Sequence, residues 1–491
     1  MAPGIPRAAE ALKGAIRPSR GHPPDLRQLV LTLVPMNIKP TRSSQLRSAA
    51  WWGLPVLAVV LVQTYLVFRE PIFSPVDELP HTDYVRTIAE MAHLPVYGSA
   101  RIDPTLLAVY LHEYPSAFDP SHFRLPALVY FDYEAVQFPV YYIAAAPLYQ
   151  LFHRNAVVAI YALRLQNVLY SVALLLLLML TLRWMFPRRP EVAALAPLTF
   201  LLMPGVSLRQ SQVTNQVLAT LLLAALFTLL LQKGQTSPGR QAMAEGALMG
   251  IAVMTKITVL GAGPTVLAAW ATRTGGLRTR LVPGAAGFGL TMLPWLVWSI
   301  AVYHSPLPWV TTHLDVTFCD CSPPKTIAIW NAFLRAVWVN FVLPFEWVGS
   351  SGSCTPQCYA ISPRTQLMKF GLLAAGLLTL AVLVWALVAL WSHREDKRRA
   401  VILSLLAVAG VAAGIVGLDA SLNRFWSTDL RETYVFAAPI VLLLGGLAAR
   451  FDRRWVVLVL GGMLVLWLVI DHQIYTSTNC AGCPPNYFRV P

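Results

Sequence analysis

The chain has 491 residues, of which 56% are hydrophobic and 13% charged, and its formal net charge is +14. Together with 15 tryptophans, this composition excludes an ordinary soluble globular protein and is typical of a membrane protein with several spans. The positive charge does not indicate nucleic-acid binding, because Lys and Arg fall mainly in short links between apolar runs, as the positive-inside rule expects.

Residues 1–50 form a basic segment with eight Lys or Arg and only two acidic residues, Glu10 and Asp25. This segment shows no apolar signal region followed by a cleavage site of small residues. We therefore predict a cytoplasmic tail that is attracted to anionic lipids.

Apolar runs predict the membrane spans, and the basic links between these runs predict their direction. Taken in chain order, they predict eleven spans, with the basic links on the cytoplasmic side and the tail 471–491 outside. The predicted spans are 51–68, 163–182, 191–207, 213–231, 242–255, 259–271, 281–303, 366–391, 400–418, 433–449 and 455–470.

Two long outer segments are expected, at 69–162 and 304–364. From Arg69 to Glu134 the first holds ten acidic residues and four basic ones, the reverse of the tail. It also contains 138–152, an apolar run too short to span, which we interpret as an interfacial helix. The predicted fold is an all-α polytopic membrane domain over 51–470, with about 11 transmembrane helices and large outer loops carrying interfacial helices.

All six cysteines fall in the predicted outer segments, in three close pairs. An even number on the oxidising side of a membrane predicts structural disulfides, whose connectivity the sequence does not determine. A redox site or a shared metal site is the less favoured alternative. The cysteines are Cys319, Cys321, Cys354, Cys358, Cys480 and Cys483.

The stretch from Ser74 to Tyr84 follows the first span and is the most informative part of the sequence. It holds three carboxylates and a histidine within the seven residues from Asp77 to Asp83. Charged groups beside hydrocarbon are costly, so the cluster indicates a functional site. The alternative is a solvated loop whose acidic residues cap the next helix.

This stretch, P-x-D-E-x-x-H-x-x-Y, resembles the first outer loop of bacterial GT-C glycosyltransferases that use polyprenyl-phosphate sugars. Three further stretches, at 134–142 (EAVQFPVYY), 163–165 (LRL) and 254–258 (MTKIT), are similar to elements of the same family in the same order. Together they extend over about residues 51–260.

The resemblance implies an inverting transfer of a sugar from a polyprenyl-phosphate donor to a glycan, lipid or protein acceptor at the outer face of the bacterial inner membrane. It places the base at Asp77, with Glu78 as the alternative, because a carboxylate in a partly desolvated cleft gains basicity. Cations at the outer ends of spans would stabilise the departing phosphate. The residues expected to contact the substrates are His81, Tyr84, Glu134, Gln137, Arg209, Lys256 and Arg431.

Some members of the family use a divalent metal, Mg or Mn, but the sequence offers no dedicated ligand set. It also departs from the family twice. Asn215-Gln216 stands where relatives often carry Asn-Asp, and Arg431 to Tyr434 matches a Gly-Arg-Tyr element only loosely. An inactive GT-C subunit, acting as scaffold of a membrane complex, is therefore the alternative, and a transporter is a weaker one because ionisable residues cluster at span ends.

Simpler interpretations exist for several of these residues. His81 could be an ordinary loop histidine, and Glu134 and Gln137 ordinary polar groups of a loop. Tyr141 and Tyr142 fit the aromatic belt of a membrane interface, and Lys256 could extend to the surface without binding a ligand.

Overall fold

The computed structural model describes residues 42–70, 72–73, 78–113, 132–232, 237–273, 275–306 and 308, then 373–388 with gaps, 399–409, 435 and 437–476. The chain divides into two compact units, 1–50 and 51–491. Of the first unit the structure describes only residues 42–50, which are helical. The second unit contains helices and turns, without a β-strand in the described ranges.

The helices before the long central helix are α1 (Arg42–Arg69), α2 (Glu78–Met91), α3 (Pro104–Glu113) and α4 (Val140–Phe152), with a 3₁₀ turn at Tyr133–Val136. The central part comprises α5 (Ala156–Met185), α6 (Pro190–Leu201), α7 (Pro204–Gln210), α8 (Gln216–Leu231) and α9 (Pro238–Val253). After a 3₁₀ segment at Ile257–Ala262 come α10 (Gly263–Ala271), α11 (Gly276–Tyr303), α12 (Arg399–Ala409), α13 (Ala437–Ala448) and α14 (Arg453–Thr476).

Within the described ranges, four helices are long and apolar enough to cross a membrane, namely parts or all of α1, α5, α11 and α14. The count is five if the bent pair α6–α7 forms one span. Apolar side chains on these helices are exposed, including Leu61 at 59%, Val282 at 74% and Leu458 at 63%. Such surfaces are stable in contact with lipid chains rather than water. The prediction of a helical multi-pass membrane protein is confirmed, whereas the count of eleven spans stays a prediction.

One predicted span, 191–207, is broken. Helices α6 and α7 bend by 75° at residues 202–203. Pro204 follows the break, where its ring cannot continue the preceding helix and instead starts a new one. All residues from 201 to 217 are buried, so the bend turns this backbone into the interior of the bundle.

Helices α9 and α11 pack closely because glycines lie at their contact. A Cβ atom at Gly246 would overlap the carbonyl oxygen of Gly284, and one at Gly287 would overlap that of Met243. Small residues at such spacing let two helices approach until their backbones touch. This contact aligns the short helix α9, and the Lys256 that follows it, against a long spanning helix.

Arginines cap helix ends on the side of the bundle where the basic links lie. Arg273 donates to Glu245, which is fully buried, and to the carbonyls of Leu229 and Leu230 at the end of α8. Arg189 donates in the same way to the carbonyls of Ala449 and Phe451 after α13. These contacts satisfy the last carbonyl groups of each helix and oppose the negative end of its dipole.

Candidate functional site

A layer of buried polar side chains lies where α2, α4 and the start of α5 meet the buried segment 207–217. It rests on a cluster of aromatic residues that includes Phe73, Tyr84, Tyr141 and Tyr142, all fully buried. Polar groups at this depth are stable only when they are hydrogen-bonded. Their partners therefore define the geometry of the layer.

The strongest contact in the layer joins the first residue of α2 to the middle of the bundle. Glu78 receives hydrogen bonds from Arg164 of α5 through both carboxylate oxygens, at 2.8 Å from Nε and 2.6 Å from Nη2. Arg164 is fully buried and Glu78 is 1% exposed. This bidentate arrangement is the preferred geometry of an arginine–carboxylate pair. The backbone N–H of Val213 also donates to Glu78 at 2.9 Å.

The same guanidinium holds the end of the first spanning helix. Nη1 of Arg164 donates to the carbonyls of Val67 at 3.0 Å and Glu70 at 2.9 Å. One side chain therefore fixes the backbone on both sides of the link between Glu70 and Glu78. Asp77, the predicted base, lies outside the described residues, but it is joined to Glu78 by a single peptide bond.

The segment that follows the bend at 202–203 is held by side-chain amides. Asn167 of α5 donates to the carbonyls of Gln212 at 2.5 Å and Thr214 at 3.3 Å. Gln63 of α1 donates to Gln210 at 2.7 Å. The Gln212 amide donates to the carboxylate of Glu70. These bonds satisfy polar groups of the segment between α7 and α8 and fix its position before α8.

Two of the cations predicted to bind phosphate belong to this layer. Lys256 lies just after α9, is 6% exposed, and its Nζ donates to Oδ1 of Asn215 at 3.3 Å. Arg209 is 7% exposed and donates to Oε1 of Gln212 at 2.9 Å. Arg209 thus lies on the buried loop 207–216, which also supplies the Val213 amide that binds Glu78, and Lys256 contacts the same loop through Asn215.

The histidine and carboxylate of two predicted motifs meet through a tyrosine. His81 Nδ1 lies 2.8 Å from the hydroxyl of Tyr142 and 3.8 Å from Oε2 of Glu134. The hydroxyl of Tyr84 donates to the carbonyl of Gln137 at 3.1 Å, and its ring stacks on that of Tyr142 with centroids 3.8 Å apart. Tyr84 and Tyr142 are fully buried, and through these contacts they hold Gln137 and His81 in position.

The residues that follow the 3₁₀ turn also contact the segment that leads to Lys256. The backbone N–H of Val140, at the start of α4, donates to the carbonyl of Met254 at 3.2 Å. Met254 precedes Lys256 by two positions. The first-loop motif and the lysine motif, more than 170 residues apart in sequence, are therefore parts of one layer.

Burial changes the acidity of several groups in the outer part of the layer. Asp132, which caps the 3₁₀ turn by accepting from the N–H of Glu134, has a pKa well above the usual carboxyl value because of burial and of the charges of Asp83 and Glu134. The pKa of Asp83 is raised by burial as well, although Arg86 opposes this. Burial also raises the pKa of the Tyr84 and Tyr142 hydroxyls, which are neutral donors.

The raised pKa of Asp132 predicts a pH-dependent stability. Ionising this carboxyl opposes folding, so its contribution to stability is full below about pH 4 and is lost as the pH rises through the folded-state pKa. Asp132→Asn keeps the acceptor for the N–H of Glu134 and cannot ionise. We expect its thermal midpoint in detergent to fall less than that of the wild type between pH 4.5 and 8, and to be higher at pH 8. The exposed Asp452→Asn should follow the wild-type curve, and parallel curves for all three proteins would contradict the assignment.

Five of the predicted site residues lie in this layer around α2 and the 3₁₀ turn, and two lie on or against the adjacent loop 207–216. The first group is Glu78, His81, Tyr84, Glu134 and Gln137, and the second is Arg209 and Lys256. The other eight predicted residues lie outside the described residues: Asp77, Arg431, Cys319, Cys321, Cys354, Cys358, Cys480 and Cys483.

Sequence reasoning did not give Arg164, Tyr142 or Asp132 a place in the site. Arg164 had a usable signal, since it is the one charge before the last turn of a 30-residue apolar helix, where an ionisable group needs a partner. Tyr142 had only its place in the family-like stretch 134–142 and Asp132 had no signal, because their roles depend on which side chains the fold places beside them.

The use of a divalent metal stays a prediction, because Asp77 lies outside the described residues. Within the described ranges no three His, Cys, Asp or Glu side chains converge as a metal centre would require. Glu78 receives hydrogen bonds from Arg164 and Val213 on its oxygens, and Asp83 receives them from Arg86 and the N–H of Asp103. No step proposed below therefore uses a metal.

Comparison with known proteins adds a structural likeness. No protein-family model matches the sequence, and no curated protein matches it. Among solved structures the chain is similar to ArnT from Cupriavidus metallidurans, in crystals bound to undecaprenyl phosphate and in the apo state. Both share 15% identity with a TM-score of 0.40, and cover 90% and 91% of this chain and 85% of ArnT. A likeness of this size does not assign the chain to a family.

Proposed function

We propose that this protein is an inverting membrane glycosyltransferase of the GT-C type, which takes its sugar from a polyprenyl-phosphate donor at the outer face of the bacterial inner membrane. The acceptor is a glycan, a lipid or a protein hydroxyl. The single observation that carries the proposal is that the described parts of the family-like motifs, at 78–84, 134–142, 163–165 and 254–258, contact one another in one buried polar layer.

Three contacts in the layer join one of these motifs to another. Glu78 pairs with Arg164, His81 lies between Tyr142 and Glu134, and the backbone N–H of Val140 binds Met254. Such convergence is not expected if the motifs are unrelated loop charges. It supports a shared role in chemistry or in binding.

The pairing of Glu78 with Arg164 assigns different roles to the two adjacent carboxylates, Asp77 and Glu78. Glu78 has both oxygens engaged and is 1% exposed, so it serves to position the loop. The base is then Asp77. As the acceptor oxygen attacks the anomeric carbon, its proton passes to the Asp77 carboxylate. The bond from the anomeric carbon to the phosphate oxygen breaks, and the electron pair leaves with the polyprenyl phosphate.

Negative charge develops on the departing phosphate, and the cations of the layer supply its stabilisation. Lys256 and Arg209 are both more than nine-tenths buried, where a fixed positive charge acts more strongly than in water. Arg431, expected at an outer loop end, would be a third contact. In this proposal Asn215 holds Lys256 Nζ in place. Positioning the lysine therefore does not require the aspartate that related sequences often carry where this chain has Gln216.

Replacing Asp77 with asparagine tests the reaction. We expect Asp77→Asn to lower donor turnover by about 10²–10⁴-fold, the usual contribution of a general base, without changing the thermal midpoint. Purified protein would be placed in proteoliposomes with radiolabelled polyprenyl-phosphate sugars, and released polyprenyl phosphate would be measured. Asp452→Asn, an exposed aspartate outside the layer, is the matched control and should retain wild-type turnover.

The alternative, an inactive scaffold of a membrane complex, predicts a different outcome of the same experiment. No member of a donor panel of hexoses and pentoses would be consumed by the wild type, and Asp77→Asn would behave as the wild type does. Partner proteins would then co-purify with both forms. That combination would overturn the enzymatic proposal.

A further inference from the structure

The side chain of Gln212 joins two groups of opposite charge inside the bundle. Its amide nitrogen donates to the carboxylate of Glu70, just after α1, and its Oε1 accepts from Nη1 of Arg209 at 2.9 Å. The exposed fractions are 4% for Glu70, 2% for Gln212 and 7% for Arg209. The contacts among these three side chains are therefore largely shielded from water.

The chemistry of the two neighbours determines how the Gln212 amide is oriented. A guanidinium can only donate hydrogen bonds, and an ionised carboxylate can only accept them. The amide oxygen must therefore face Arg209, and the amide nitrogen must face Glu70. A carboxylate at position 212 would lack the donor, and an apolar side chain would lack both groups. An amide supplies the donor and the acceptor from one side chain.

The loop 207–216 does not need the side chain of Gln212 to stay in place. The backbone carbonyl of Gln212 accepts from Asn167 at 2.5 Å. The backbone N–H of Val213 donates to Glu78 at 2.9 Å. Because these contacts use only backbone groups of the loop, the side-chain amide of Gln212 has a separate role.

Arg209 is a buried cation without a counterion in the part of the chain that the structure describes. There its guanidinium has Gln212 Oε1 as its one acceptor and forms no ion pair. Burying an unpaired charge is costly, so an arginine at this depth is stabilised by an anion that binds beside it. Glu70 carries such a charge, and the Gln212 amide lies between its carboxylate and Arg209.

We infer that Gln212 is a positioning residue for phosphate recognition, an inference that rests on the proposed function of the layer. The amide orients the guanidinium of Arg209 and prevents a direct ion pair between Arg209 and Glu70. The positive charge therefore stays available to the phosphate of the donor. A direct pair with a carboxylate would neutralise that charge and would have to break before phosphate could bind.

Binding of a polyprenyl monophosphate by the purified full chain tests this role. Farnesyl phosphate and farnesol differ only in the phosphate, so the factor by which the phosphate binds more tightly in detergent measures phosphate recognition. Gln212→Leu should lower this factor about tenfold, as expected for one charged hydrogen bond. Thr181→Val, which removes a buried hydrogen bond between α5 and α8 outside the layer, should keep the wild-type factor.

Exchanging two side chains separates this role from a structural one. Glu70→Gln combined with Gln212→Glu keeps one amide, one carboxylate, the net charge and a donor for every acceptor among the three groups. It also places the carboxylate directly against Arg209. We expect this exchange variant to be more stable than Gln212→Leu by thermal midpoint, and to prefer farnesyl phosphate about tenfold less than the wild type does.

The outcomes distinguish this inference from the proposed function. A wild-type preference for farnesyl phosphate in Gln212→Leu or in the exchange variant would overturn the inference and leave the proposed phosphate site intact. Equal binding of farnesyl phosphate and farnesol by the wild type would contradict the proposed phosphate site, and the inference would fail with it.

Discussion

Replacing Arg164 with leucine is expected to lower the free energy of unfolding by about 3–5 kcal/mol, the cost of leaving one partner of a buried ion pair without the other. Arg164 is fully buried, and it donates to Glu78 and to the carbonyls of Val67 and Glu70. Its loss leaves a buried carboxylate and two carbonyls without their donor. Because the same contacts fix the link that carries Asp77, donor turnover should be lost as well.

The thermal midpoints of the purified variants in detergent report this loss of stability. Arg154→Leu, an exposed arginine ten positions earlier, should change stability by no more than about 0.5 kcal/mol. The double variant Arg164→Leu with Glu78→Leu should cost less than the sum of the two single variants, since it removes both charges together. Additive costs in the double variant would show that the pair is not coupled in the folded protein.

Replacing Gly246 with alanine is expected to be the most disruptive single-methyl change in the described part of the chain. The added Cβ would overlap the carbonyl of Gly284, which is backbone and cannot rotate away as a flexible side chain could. Helices α9 and α11 would have to separate, with a cost of about 3 kcal/mol, at the upper end of the range for overpacking. Since α9 leads directly to Lys256, binding of a phosphate at the polar layer should weaken too.

Gly289→Ala on α11 is the matched control for this change. A Cβ at Gly289 meets nothing within 4 Å. In a helix, alanine is favoured over glycine by about 1 kcal/mol, so this variant should be as stable as the wild type or slightly more stable. The midpoints of both variants would be compared in the same detergent. Equal midpoints for Gly246→Ala and Gly289→Ala would contradict the close packing of α9 against α11.

The sequence contained enough information to predict the helical membrane class and the position of most helices. Apolar runs such as 281–303 correspond to long helices because hydrocarbon requires that every backbone group bonds within its own helix. The short run 138–152 was correctly predicted to be a separate helix, observed as Val140–Phe152. The bend at 202–203 was not predicted, because a proline inside an apolar run is also compatible with a single span. The segment between α7 and α8 is held by Asn167, which is distant in sequence.

The site was predictable in its residue types and less so in its geometry. The sequence does not reveal which carboxylate of the pair Asp77 and Glu78 is neutralised by an arginine, since the partner, Arg164, is 86 positions away from Glu78. Likewise, the neutral Asn215 gives no sign that it accepts a hydrogen bond from Lys256 until α8 and the end of α9 are adjacent. Such assignments depend on tertiary contacts and follow from the structure alone.

The most direct test of the proposed function is a cryo-EM structure of the full chain in nanodiscs containing a polyprenyl-phosphate sugar. We predict phosphate density within hydrogen-bond reach of Lys256 Nζ or of the Arg209 guanidinium, with the anomeric carbon facing Asp77 and the Glu78–Arg164 pair unchanged. Density for the donor elsewhere, or a polar layer closed by protein side chains with Asp77 held in a salt bridge, would contradict the proposal and favour the scaffold.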